Sequence, residues 1–289
     1  MTCKLIRGRL ASYYWLVALI FMSLAAESAH ARPLDDVVAS KTLRVIAYLD
    51  NAPFSDDDGS GPRGIEVDLA KAIARELGVK ADIVLRMHGE EADDDLRANI
   101  WRGPLTGGGT GDLMLHVPVD REFAIRNKEA VISNPYFQER IALAIHPELT
   151  GKNPDFNTFK TMKVGVQLGT VSDYFLMSYQ DGALIENVSH FVKARDGAKE
   201  FFNKSFTAWL GVQSNIEGQL HEFGAKPLFV KPNMDGIVRT NWVIGTAVAE
   251  NSRDLGYSVG AALEKIRTSG ELKKSWAKYG VTYIPPPIP

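Results

Sequence analysis

The sequence predicts an α/β fold with mixed, largely parallel sheets, and two observations support this class. Short apolar, β-branched runs alternate along the chain with longer segments whose apolar residues recur at helical spacing. Glycine, proline and asparagine separate these segments, as expected for turns between strands and helices. The apolar and charged fractions, 45% and 24%, are those of an ordinary globular protein with room for one large domain or two modest ones.

The first half of the chain contains a clear amphipathic helix. Over 64–78 the apolar residues lie on one helical face, and Gly78 can adopt the left-handed conformation that ends a helix. The other predicted elements of this half are strands over 43–48, 81–86 and 112–117 and a helix-like stretch over 96–101.

The second half repeats the alternation. A strand over 163–167 leads through a Gly-Thr-Val-Ser loop into a helix, for which Ser172 or Asp173 is the predicted N-cap. The remaining predicted elements are helices over 194–202, 253–270 and 273–279 and strands over 206–212, 228–231 and 244–249.

The N-terminus has the pattern of a secretory signal peptide. Three basic residues precede an apolar run over 14–26, and small residues at 29 and 31 suit a signal peptidase. We therefore predict a signal peptide over 1–31, cleavage after Ala31 and a periplasmic protein. The alternative is a membrane anchor, which the short apolar run and the missing basic stop-transfer cluster disfavour. Cleavage would also remove Cys3, the only cysteine, and with it any thiol chemistry.

The overall charge excludes some classes of partner. A formal net charge of −2 gives no broad basic field for nucleic acid or an anionic membrane. The acidic stretches at 56–58 and 90–95 lack the spaced ligands and closing glutamate of a calcium loop, and the histidines show no paired ligand spacing. The sequence therefore predicts no metal site and no cofactor.

Several motifs occur in the order found in periplasmic solute-binding proteins of the amino-acid-binding group. They are LRV at 43–45, APF at 52–54, GIEVDLA at 64–70, GD at 111–112, NPY at 134–136, VGVQLGT at 164–170 and WAKYG at 276–280. The chain resembles this ABC-transporter family over nearly all of its mature length.

The resemblance implies a two-lobe periplasmic binding protein fold with two interlobe crossings, near 141–146 and 244–249. Residues 32–145 and 246–289 would form lobe 1, and residues 146–245 would form lobe 2. The resemblance further implies a non-catalytic monomer that holds a small-molecule ligand in the interlobe cleft and works with an ABC permease.

Two segments are predicted to face this cleft. The turn after the first strand should present Asn51 and Phe54, although Phe54 could instead fill the core of its lobe. The second segment comprises Gly169, Thr170, Val171 and Ser172. It offers backbone N–H groups at a helix N-terminus, which suits a carboxylate, although a simple capping turn is the alternative.

The chain also departs from the family pattern. Where relatives carry a Ser/Thr-rich loop with a carboxylate-binding arginine, this sequence has His116, then Asp120 and Arg121. Arg121 is the predicted substitute clamp. The acid that normally receives the ligand's ammonium should fall near Thr207, where no carboxylate occurs. Because a buried ammonium needs a counter-charge, we predict a small anionic solute that is not an ordinary α-amino acid.

Two alternatives remain open from the sequence. The segment around 102–118 is similar to a divergent branch associated with quinoprotein alcohol dehydrogenases, methanol dehydrogenase among them. This implies an accessory protein that binds, or helps to mature, a dehydrogenase that uses pyrroloquinoline quinone. The second alternative is a cleft enzyme of dehydratase type, in which His116, Asp120 and Arg121 would supply acid–base chemistry and an anion clamp.

Overall fold

A computed structural model describes residues 31–287 of the chain. The predicted signal peptide lies outside this range except for Ala31. Within it, no helix has both the length and the apolar character needed to cross a membrane.

Residues 31–145 form four α-helices and six strands. In chain order they are α1 (Leu34–Ser40), β1 (Thr42–Tyr48), β2 (Asp56–Asp57), β3 (Pro62–Arg63), α2 (Ile65–Glu76), β4 (Lys80–Arg86), α3 (Ala92–Leu96), β5 (Leu113–Pro118), α4 (Arg121–Arg126) and β6 (Ala130–Ile145). A π-helical turn, Arg97–Trp101, continues α3.

The remaining described residues add six α-helices and five strands, with three short 3-10 helices at Phe156–Lys160, Ile185–Asn187 and Glu250–Ser252. The α-helices and strands are α5 (Pro147–Thr150), β7 (Val164–Gln167), α6 (Val171–Ser178), β8 (Val188–Phe191), α7 (Ala194–Phe202), β9 (Ala208–Val212), α8 (Gln213–His221), β10 (Leu228–Val230), β11 (Asn241–Ala249), α9 (Arg253–Thr268) and α10 (Glu271–Lys278).

Nine of the strands form one continuous mixed sheet, in the order β4-β1-β5-β11-β6-β9-β7-β8, with β10 also paired to β6, and β2 and β3 form a separate antiparallel pair. Strands β4, β1 and β5 are parallel to one another at one end of the sheet, as are β9, β7 and β8 at the other. The strands between them are antiparallel. The predicted α/β class with mixed sheets is therefore confirmed.

The long strand β6 links the two parallel ends. Up to Arg140 it pairs with β11, and from Ile141 onward it pairs with β9. The backbone N–H of Ile141 donates to Thr240 O at 2.8 Å, immediately before β11 begins. The chain thus passes between the two halves at 140–141 and 240–241. The predicted lobe boundaries lie about five residues further along the chain at each crossing.

Local sequence signals explain several element ends. Helix α2 ends in a Schellman motif, in which Gly78 has a φ of 71°, Gly78 N–H donates to Arg75 O and Val79 N–H donates to Ala74 O. The predicted N-cap of α6 is wrong by two or three residues. Thr170 is the N-cap, because its hydroxyl accepts a hydrogen bond from Asp173 N–H.

Candidate functional site

A cavity of about 360 Å³ lies between the two halves of the molecule, at the carboxyl ends of β1, β7 and β9. This volume falls within the range of small-molecule sites. On one side the halves touch: Asn215 Nδ2 on α8 donates to Ala52 O at 3.1 Å. Gly218 lies so close to Pro53 that a Cβ at this glycine would clash with the proline ring.

The cavity brings together six of the ten predicted site residues. They are Asn51, Phe54, His116, Thr170, Val171 and Ser172. Phe54 also packs in the core of its lobe, with 3% of its surface exposed. The ring therefore both lines the cavity and fills the core. Asn51 Nδ2 is buried and has no hydrogen-bond partner within residues 31–287.

Arg121 and Asp120 do not line the cavity. Arg121 is an exposed residue at the start of α4. Asp120 is the N-cap of this helix, accepting from Phe123 N–H, and it forms an ion pair with Arg239 at 2.9 Å. Arg239, which the sequence did not single out, does line the cavity. The cation on this side of the site is therefore Arg239, not Arg121.

Thr207 also lies away from the cavity. It precedes β9, and its hydroxyl donates to Lys163 O. Because parallel strands present their carboxyl ends to the site, the relevant position is the other end of β9, where Val212 lines the cavity. Strand β9 contains no carboxylate, and Val212 is the residue at its cavity-facing end.

The start of α6 contributes fewer free donors than the sequence suggests. Gly169 N–H donates to Asp173 Oδ2 at 2.8 Å, and Gly169 does not line the cavity. Asp173 N–H donates to the Thr170 hydroxyl. The N–H groups of Val171 and Ser172 remain, since first-turn amides have no intrahelical acceptor. Ser172 is 3% exposed, and its hydroxyl has no hydrogen-bond partner among the described residues.

The opposite wall holds a buried network of ionisable groups. His116 Nδ1 lies 2.7 Å from Glu66 Oε1, and the Tyr136 hydroxyl donates to the same oxygen. The backbone N–H of His116 donates to the Tyr136 hydroxyl at 2.8 Å. Glu66 and Tyr136 are fully buried, whereas 18% of the His116 side chain is exposed. His116 is therefore the member of this network that reaches the cavity.

Two β-bulges bring these residues together. Between Met114 and Val117, strand β5 has one residue more than β11, and His116 there has a φ of 60°. Strand β6 has two extra residues between Ser133 and Phe137. The bulge of β5 lies opposite Thr246 of β11, and the bulge of β6 lies opposite the neighbouring Gly245. Bulges of this kind re-aim side chains, and here they bring His116 and Tyr136 to Glu66 on α2.

Glu139 is a second buried acid of this wall. It is 2% exposed, lines the cavity, and accepts from the Ser214 hydroxyl, which lies 2.8 Å from each carboxylate oxygen. Burial raises the pKa of Glu139 to about 7, although the charge of His116 and the Ser214 hydrogen bond oppose the shift. Glu139 therefore exchanges a proton near neutral pH.

The sequence reasoning missed Glu66, Tyr136, Glu139, Ser214 and Arg239. Glu66 is 50 residues from His116, and an acid in the first turn of a helix is usually a solvated residue. Glu139 lies in the polar triplet 138–140, Gln-Glu-Arg, a pattern that does not indicate burial. No group of three or more His, Cys, Asp or Glu side chains suited to a metal ion occurs in residues 31–287.

The sheet order, the two crossings and the interlobe cavity define the two-lobe fold of periplasmic solute-binding proteins. No protein-family model matches the chain, and no curated protein matches it in sequence. Solved structures do match it, and they include an amino acid solute-binding protein and a substrate-binding protein of an amino acid ABC transporter. Because these structures are less than 25% identical to this chain, the likeness supports the fold alone.

Three such structures illustrate the likeness. An ancestral cationic amino acid solute-binding protein is 23% identical, with a TM-score of 0.65 over 86% of this chain and 99% of its own. An ancestral amino-acid-binding protein described as a precursor of cyclohexadienyl dehydratase is 24% identical, with a TM-score of 0.55 over 86% and 99%. A substrate-binding protein from Streptococcus pneumoniae bound to L-arginine is 21% identical, with a TM-score of 0.57 over 87% and 99%.

Proposed function

We propose that this protein is a non-catalytic periplasmic receptor that binds a small anionic solute between its lobes and delivers it to an ABC importer. The observation that carries the proposal is the interlobe cavity, in which donors from both walls converge. The donors are Asn51 Nδ2, the free N–H groups at the start of α6, the Ser172 hydroxyl and the Arg239 guanidinium.

The same cavity disfavours an ordinary α-amino acid. The resemblance places the acid for the ligand's ammonium near Thr207, where no carboxylate occurs, and Val212 is the residue at the cavity-facing end of β9. Glu139 is the carboxylate that remains, and it is hydrogen-bonded to Ser214 and titrates near neutral pH. An ammonium ion in this cavity would therefore lack a permanent, unengaged counter-charge.

Thermal-shift screening of mature protein tests the proposal. The panel contains small mono- and dicarboxylates, inorganic phosphate, sulfate and the twenty standard amino acids. A bound solute at a hundred times its dissociation constant adds roughly 2.7 kcal/mol to the free energy of unfolding. We expect stabilisation by at least one anion. Stabilisation by a standard amino acid alone would contradict the anionic specificity, and no stabilisation by any solute would contradict the receptor role.

A matched pair of variants locates the binding. Ser172→Asp places a carboxylate at the start of α6, where an acid is compatible with the helix dipole but repels a bound anion. Ser172→Asn has nearly the same size without the charge. We expect the thermal shift to disappear in Ser172→Asp and to persist in Ser172→Asn. Equal shifts in the two variants would place the anion elsewhere.

An accessory role beside a quinoprotein dehydrogenase is the second candidate, and an apolar rim on the second lobe favours it. Next to the cavity, Leu168, Val171, Tyr174 and Val192 are each exposed by 50% to 72%. Exposed apolar clusters are common at protein–protein contacts. Sedimentation of the mature protein with a purified periplasmic quinoprotein dehydrogenase tests this role. A complex that Tyr174→Ser and Val192→Ser both weaken would support it.

A further inference from the structure

We propose that His116 is an anion-binding group of this cavity, held as an imidazolium by Glu66, and that the protein takes up protons when its anionic solute binds. This inference rests on the proposed function and assigns the solute class to small carboxylates.

The geometry leaves one ring nitrogen of His116 for the solute. Nδ1 is bonded to Glu66 Oε1 at 2.7 Å, and Glu66 is fully buried behind the ring. Nε2 has no hydrogen-bond partner among the described residues, and His116 lines the cavity. A neutral ring that donates from Nδ1 would present a lone pair at Nε2. The protonated ring presents an N–H donor, which is what a carboxylate requires.

The ring is also held in place before any solute arrives. His116 occupies the bulge of β5, and its own N–H is satisfied by Tyr136. The Phe54 ring packs edge-on against the imidazole, with the ring centroids 4.7 Å apart. A donor fixed in this way loses little conformational entropy when it binds a solute.

The titratable groups around the ring favour its charged form. They are Glu66 on α2, Tyr136 and Glu139 on β6, and Tyr48 on β1, whose hydroxyl donates to Asp95 at 2.8 Å. Arg239, which also lines the cavity, is paired with Asp120. Burial by itself lowers the pKa of His116, but the carboxylates of Glu66 and Glu139 outweigh this effect and raise it.

Glu139 acts in the same direction as His116. When protonated, it no longer repels an anion in the cavity, and its pKa of about 7 makes this protonation accessible near neutral pH. An anionic solute therefore favours proton uptake at both groups. By linkage, the affinity for an anion falls as the pH rises through neutrality, whereas the affinity for a cation at Glu139 would rise.

The walls also indicate the kind of anion. His116 lies on one wall, while the N–H groups and hydroxyl at the start of α6 lie on the other. Two donor sets on opposite walls suit a solute with two carboxylates, and succinate is the probe of choice.

Nitrogen-15 NMR of histidine-labelled mature protein tests the charge state without any solute. We expect both ring nitrogens of His116 to be protonated at neutral pH in the parent. In Glu66→Gln we expect one of these two nitrogens to have lost its proton. A neutral His116 ring at about pH 6 in the parent would overturn the inference.

Calorimetry with succinate in buffers of different ionisation enthalpy tests the binding step. We expect proton uptake above about pH 7, weaker binding at higher pH, and a loss in affinity of at least about tenfold in His116→Gln. His190→Gln is the matched control, because His190 is also bonded to a carboxylate, Asp173, at 2.8 Å but does not line the cavity. We expect this control to bind succinate as the parent does.

Two results would overturn the inference while leaving the receptor role intact. They are equal succinate affinity in the parent and His116→Gln, and no succinate binding by the parent at about pH 6. The receptor role itself fails only if no member of the whole solute panel binds.

Discussion

The two walls of the interlobe cavity are built from different chemistry. The wall of the first lobe contains four buried or nearly buried ionisable side chains, Glu66, His116, Tyr136 and Glu139. The wall of the second lobe is formed by Trp209, Leu210 and Val212 and by the start of α6. This difference indicates that the first lobe holds the buried titratable charges of the site, whereas the second lobe supplies shape, a fixed dipole and the guanidinium of Arg239.

Removing the central acid of the first wall should have the largest effect on stability. In Glu66→Gln the hydrogen-bond acceptor for His116 and Tyr136 loses its charge while the volume of the side chain is kept. Breaking a buried ion pair in this way costs about 4 kcal/mol. Urea unfolding at neutral pH measures the change in the free energy of unfolding.

An exposed glutamate provides the control for this comparison. Glu250 forms an ion pair with Arg253, and both side chains are more than half exposed. We expect Glu250→Gln to change the free energy of unfolding by less than about 0.5 kcal/mol. If the two variants were equally stable, the first wall would not be the charged, buried network described above.

Glu139 should make stability depend on pH. Its pKa rises from 4.5 to about 7 on folding, so the folded protein holds this proton more tightly than the unfolded chain. The stabilisation that Glu139 contributes is fully present below about pH 4.5 and is lost as the pH rises to about 7. The loss amounts to roughly 3 kcal/mol. His116, whose pKa is also raised, acts with the same sign.

Urea unfolding across this pH range, in the parent and in Glu139→Gln, measures the dependence. The glutamine can still accept from Ser214 but cannot titrate, so we expect a flatter profile in the variant. If the free energy of unfolding changed with pH in the same way in the parent and in Glu139→Gln, groups other than Glu139 would cause the pH dependence.

The second wall should respond more weakly. Thr170→Ala removes the hydroxyl that caps α6, and loss of an N-cap costs about 1 kcal/mol. Thr170→Ser keeps the hydroxyl and is the matched control. We expect thermal unfolding to show the loss in the alanine variant alone, with no change in its pH profile. If the stability lost in Thr170→Ala depended on pH, the pH dependence would not be confined to the first wall.

Most of the secondary structure was predictable because local signals agreed with the fold. The periodicity of α2, the left-handed Gly78 and the exact match of α7 to the predicted 194–202 illustrate this agreement. Strand β6 was missed because Pro135 and Asn134, whose φ is 53°, interrupt its pattern at the bulge. Helix α8 was missed because its sequence is polar and contains Gly218.

The site was only partly predictable because its key contacts join distant segments. The sequence identified the cavity-facing turn at Asn51 and the start of α6, each of which follows a strand, and His116 within β5. It could not pair His116 with Glu66, because this contact depends on two bulges whose register is visible only in three dimensions. The same limit led to Thr207 instead of Val212, which lies at the other end of one strand.

The two crossings between the lobes run side by side and share the hydrogen bond from Ile141 to Thr240. The lobes are therefore joined by a two-stranded ribbon instead of two independent tethers. A ribbon bends easily out of its own plane but resists sliding and in-plane rotation. Relative motion of the lobes is thus confined mainly to one swinging mode. A swing of the lobes on this ribbon would bring the donors at the start of α6 back to the same position opposite His116, and only the solute would then need to find its orientation.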